Sequence, residues 1–126
     1  MAAPAFLSRL WNMLQQGGAG GLHIRLDSPA RLVIESGWLW TTRTHTFDAA
    51  RRVVLRDGRV LARFDQLHSV DVRTLHDDSG HVAGYAIALH RGWFDNLHLG
   101  STPDDAEASI VAARISTITG LKVLAL

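Results

Sequence analysis

From Leu22 onward the chain alternates apolar and polar residues with a period of two, and near its end the period lengthens to that of a helix. Leu22, Ile24 and Leu26 alternate with His23, Arg25 and Asp27, and after Ser28-Pro29-Ala30 comes Arg31-Leu32-Val33-Ile34-Glu35, a pattern that predicts two strands and a turn. Gly37 punctuates, and Trp38 to Phe47, rich in aromatic and β-branched residues, predicts one long strand in which Trp38 and Trp40 share the core face. Asp57-Gly58 between two apolar runs signals a two-residue type I′ hairpin turn. Counting outward from it pairs Arg56 with Arg59, Leu55 with Val60, Val54 with Leu61, Val53 with Ala62 and Arg52 with Arg63. That register puts Val53, Leu55, Val60, Ala62 and Phe64 inward. The arginines then surround Val54 and Leu61 on the outer face.

His68 to Leu75 reads as a strand with Val70 and Val72 inward and Asp71 and Arg73 outward. The polar run from His76 to His81 is a loop. Tyr85, Ile87 and Leu89 then line one side of the next strand, Arg91-Gly92 turns, and Trp93 to Leu99 returns beside it. Thr102 is expected as a helix N-cap, with Pro103 at the first helical position and Asp104 and Asp105 at the positive end of the dipole. Ala108, Val111, Ile115 and Ile118, flanked by Ala112, form a stripe at helical spacing, and Gly120 stops the helix. Such a stripe must cover something apolar.

At the other end, Phe6, Leu7, Leu10, Trp11 and Leu14 lie at helical spacing, with Ser8, Arg9, Asn12, Gln15 and Gln16 turned mostly the other way. Residues 1–16 therefore read as a short amphipathic helix, 17–21 as a glycine-rich joint, and 22–126 as one domain.

About seven strands in hairpin order followed by one C-terminal amphipathic helix resembles the bacterial pleckstrin-homology-like domains. The resemblance rests on the turn-rich hairpin, the segment Phe64-Asp65-Gln66-Leu67-His68-Ser69-Val70-Asp71-Val72, two further strands and the helix from Asp104 to Gly120. It implies a mainly β fold, a partly open antiparallel barrel plugged by the helix, and a role in binding or in regulating a larger assembly. Phosphoinositide-binding members of the wider fold use basic residues in the first hairpin loops. Here the turn Ser28-Pro29-Ala30 has only Arg25 and Arg31 nearby, so no ligand residue is carried over.

Composition narrows the function. The chain has 126 residues, enough for one core, and no cysteine, which removes disulfides and thiol chemistry together. A formal charge of +1 gives no global field toward nucleic acid, which is not an expected partner. No apolar run approaches the roughly 20 residues of a membrane span, and Ser8, Arg9 and Asn12 interrupt any secretory signal. The cytoplasm is the expected compartment, with peripheral contact at the inner membrane as its variant.

Two surfaces are candidates. Arg52, Arg56, Arg59 and Arg63 would suit phosphate, lipid headgroups or an acidic partner, because guanidinium binds such groups bidentately. Phe6, Leu7, Leu10, Trp11 and Leu14 would bind a membrane, another subunit or the chain's own barrel. Arg9 is the only charge on that helix, so protein contact is favoured, and the glycine joint allows exchange between protomers in a homo-oligomer. The histidines show no metal spacing, and no nucleophile, base and orienting group converge, so neither metal, cofactor nor catalysis is expected. The expected function is an interaction or scaffolding module, through protein contact or self-association. The alternative is peripheral binding of an anionic ligand or lipid headgroup through the arginine-faced hairpin.

Overall fold

The computed structural model describes residues 21–38, 41–92 and 95–126. The expected N-terminal helix, most of the glycine joint, and the placements of Trp40 and Trp93 lie outside the described residues.

In chain order the elements are β1 (Leu22–Asp27), β2 (Arg31–Trp38), β3 (Thr41–Asp48), β4 (Val53–Arg56), β5 (Arg59–Arg63), β6 (Leu67–His76), β7 (Val82–Arg91), β8 (Asp95–Thr102), α1 (Asp105–Thr119) and β9 (Lys122–Ala125). They form a five-stranded sheet, β1-β2-β3-β4-β5, and a four-stranded sheet, β8-β7-β6-β9. Neither closes on itself. The fold of the described residues is mainly β with one C-terminal helix.

The helix joins the sheets. Ala108, Val111, Ala112 and Ile115 are buried in one cluster with Leu22, Ile34 and Phe47 of the first sheet and Val70, Ile87 and Leu89 of the second. The stripe expected from the sequence is therefore the face that enters the core, with Ile118 partly buried at its margin. Gly120 ends the helix at φ 79°, and its N–H donates to the Ser116 carbonyl at 2.8 Å.

Its start falls later than expected. Thr102 pairs with Tyr85 in the β7–β8 ladder, which holds its backbone in the strand. Asp104 is the N-cap instead, accepting from the Ala106 N–H at 3.0 Å, while Thr102 Oγ1 accepts from the Asp104 N–H at 3.2 Å.

The long strand expected from Trp38 to Phe47 is also corrected. β2 continues through Gly37, which sits opposite Thr42 in the ladder, and ends at Trp38, which pairs with Thr41 at the start of β3. One expected strand is thus the end of β2 and the whole of β3.

The Asp57-Gly58 turn has positive φ at both residues, 49° and 84°, and Arg56 faces Arg59 as expected. The register then shifts. Leu55 pairs with Val60, but Val54 pairs with Ala62 and Val53 with Arg63, so β5 carries a bulge at Leu61. One extra residue reassigns the faces: Val54 is 0% exposed and Ala62 buried, whereas Val60, expected inward, is 55% exposed. Phe64 is buried, as expected, in a short 3-10 turn, Phe64–Gln66.

After Gly120 the chain forms β9, parallel to β6, with Val70 opposite Val123 and Asp71 opposite Leu124. Backbone bonds between Leu126 and both Val72 and Thr74 extend this contact. The expected all-antiparallel set of about seven strands becomes nine among the described residues, one of them parallel.

Candidate interaction surface

Strand parity decides what the second sheet shows to the outside. Val70, Ile87, Leu89, Leu97 and Leu99 point into the core, so Ser69, Asp71 and Arg73 of β6, Ala86, Ala88 and His90 of β7, and Asn96 and His98 of β8 belong to the outer face. β9 adds Lys122 and Leu124, because registered residues of a parallel pair share a face. The central row across four strands reads Leu124, Asp71, Ala88, His98.

This face is small in the middle and apolar at one margin. Ala86 and Ala88 form its floor, and Leu75, Leu124 and Leu126 stand exposed beside it, Leu126 to 61%. The middle is nonetheless buried: Ala88 is 0% and Asp71 3% exposed, and Ser69 is buried as well. Among the described residues no element lies over it, since α1 packs on the inner face.

The polar groups here have few partners among the described residues. Asp71 receives one hydrogen bond from the described residues, from the Ser69 hydroxyl at 2.7 Å, although a carboxylate has about four acceptor sites. Buried carboxylates are almost always paired. The Arg73 Nε is buried without a hydrogen-bond partner among the described residues. At the far margin His90 Nδ1 lies 3.0 Å from Asn96 Oδ1, and the rings of His68 and His90 stand 5.9 Å apart.

The four hairpin arginines do not share the face expected for them. Arg52 lies in the turn before β4 at φ 55°, with its guanidinium 5.7 Å from the centre of the Phe64 ring. Arg56 turns to the inner side, where its Nε donates to His45 Nε2 at 3.1 Å. Arg63 pairs with Asp65 at 3.1 Å. Arg59 is exposed at the hairpin tip. The bulge at Leu61 and the turn conformation of Arg52 break the alternation that would have aligned them.

His45 is a site the sequence reading did not single out, although it stands two residues before the inward Phe47 on one strand. It is fully buried, and with Nε2 accepting from Arg56 its proton sits on Nδ1, which is buried without a partner among the described residues. Burial first, and then the positive charges of Arg56 and Arg43, push its pKa down from 6.5 to about 4.

Two clefts complete the surface. One, of about 350 Å³, lies between the β1–β2 turn and α1, where Arg114 Nε is held 2.7 Å from Asp27 Oδ2. The other, of about 300 Å³, lies at the seam of the two sheets and is lined by Ser36, Arg43, Gly100 and Ser101 among others. The His76–His81 loop is the polar turn expected, closed by the Asp77 carboxylate, which accepts from the N–H groups of Ser79 and His81 at 2.9 Å. No group of three metal-ligating side chains occurs among the described residues.

No family model, no curated protein and no solved structure matches the chain.

Proposed function

We propose that this chain is a non-catalytic interaction module of pleckstrin-homology-like build, and that its working surface is the outer face of the second sheet. The fold assignment is supported by one helix packed between two open sheets. The functional reading is carried by one observation: Ala88 and Asp71 are buried on a face that no described element covers. A protein segment with an apolar side fits that face, because small floor residues allow close approach and the leucine margin offers apolar area worth about 25 cal/mol per Å² removed from water.

The absence of cysteine makes the test direct. A thiol introduced by Ala88→Cys, or in a second variant by Ala86→Cys, reports access to the floor. In the native protein it is expected to react with maleimide at least tenfold more slowly than in urea, and Leu124→Glu with Leu126→Glu should restore fast labelling without loss of the fold. Fast labelling in the parent at both positions means a bare face and removes the reading.

A further inference from the structure

We infer that the segment lying on this face is the chain's own stretch Pro4–Gln16, folded back onto the same molecule; the inference rests on the reading of the outer face as an occupied surface. The described chain enters the fold beside the second sheet. Leu22 heads β1, and a Cβ placed on Gly100 of β8 would lie 2.7 Å from the Ser36 Cβ and 3.1 Å from Leu22 Cδ1. The start of β1 is therefore in contact with β8, the edge strand of the second sheet. Gly17 to Gly21, fully extended, spans roughly 17 Å. Neighbouring strands lie about 4.8 Å apart, so every strand of that sheet is within reach.

The dimensions also agree. A helix over Pro4–Gln16 would be roughly 20 Å long, against roughly 14 Å between the axes of the outermost of four strands. It would lay Phe6, Leu10, Trp11 and Leu14 over the alanine floor, with the margin of Leu75, Leu124 and Leu126 along its side. Large side chains meet small ones.

Charge points the same way. Residues 1–20 contain no Asp or Glu, and Arg9 is their one charged side chain. Asp71 is a buried carboxylate with a single hydroxyl partner among the described residues and no cation within ion-pair distance among them. Asn12, Gln15 and Gln16 add further donors and no anion. Attachment through a short joint gives the segment an effective concentration in the millimolar range, which a second copy in dilute solution does not match. An outside partner then gains the face by displacing this cover.

The test is cross-linking of the full chain with Leu10→Cys and Ala88→Cys, by direct oxidation of the two thiols to a disulfide across a hundredfold range of protein concentration. A link within the monomer, in a yield independent of concentration, is the expected result. A link found only in a dimer overturns the inference in favour of a second copy. No link while the Ala88→Cys thiol stays protected means a different occupant, which overturns the inference and leaves the occupied surface standing. No link with a freely reactive thiol removes both. If that pair does not fold, Trp11→Asp in the Ala86→Cys background serves: labelling at least tenfold faster than without it is expected, and an unchanged slow rate overturns the inference.

Discussion

His45 shows how far one buried side chain sets the pH range of this fold. Its ring is neutral in the folded state, with a pKa held near 4, whereas in the unfolded chain it returns to 6.5. Between those values the unfolded state binds a proton that the folded state refuses, so the contribution of His45 to stability is constant above about pH 7 and falls as pH drops through 6.5 toward 4. The full shift corresponds to at most about 3 kcal/mol. Urea unfolding at pH 7.5 and 4.5 should show that loss, and His45→Asn should remove most of the pH dependence. Asp77, held below its usual value by the Ser79 hydroxyl and then by backbone N–H groups, adds its own loss only in stronger acid. Gly100 is the second position where a single atom matters. Its φ is 153°, and an added Cβ would collide with Ser36 where β8 meets the first sheet. Gly100→Ala is expected to cost about 2 kcal/mol, read as a lowered urea midpoint at unchanged m-value.

Among the elements, α1 was the most legible in the sequence, because its stripe from Ala108 to Ile115 runs over about two turns and only one face can enter the core. Its cap was not, since Thr102 and Asp104 are both of cap-forming type and the β7–β8 ladder, which holds Thr102 in the strand, decides between them. Asp104→Ala should therefore cost about 1 kcal/mol of stability in thermal or urea unfolding, and a smaller effect would mean that Thr102 takes over the cap. The Asp57-Gly58 turn was readable because its chemistry is local. The bulge three residues later was not, because nothing in Val60-Leu61-Ala62 distinguishes a bulged strand from a regular one, and the slip carried Val54, Val60 and Arg56 to the wrong faces. β9 was missed for a similar reason: Lys122-Val123-Leu124-Ala125 is short, exposed and without alternation, and it becomes a strand only because β6 offers it an edge. The candidate surface was hidden with it. Tyr85-Ala86-Ile87-Ala88-Leu89 was readable as a strand, but an outward alanine looks neutral until Leu124 and Leu126 are known to stand beside it.

At the scale of the whole molecule the two sheets share one core among the described residues. Leu22, Ile34 and Phe47 on one side and Val70, Ile87 and Leu89 on the other meet through the buried face of α1, and the sheets approach each other directly at the seam where Gly100 faces Leu22 and Ser36. Removing α1 from between them would expose apolar area on both inner faces at once. The Asp27–Arg114 ion pair also ties the helix to β1, but both side chains are partly exposed, so water and salt screen it and it adds little. Ile115, fully buried in the middle of the stripe, is the residue through which this coupling is best tested. Ile115→Ala should cost about 2–5 kcal/mol, by lost transfer energy and the cavity left behind. The more telling readout is where the loss falls. If the helix is the shared support of both sheets, amide signals from β3 in the first sheet and β7 in the second will disappear at one urea midpoint, lowered equally by the substitution. Separate midpoints, with only one sheet responding, would mean that each sheet holds itself together and that the helix merely rests between them.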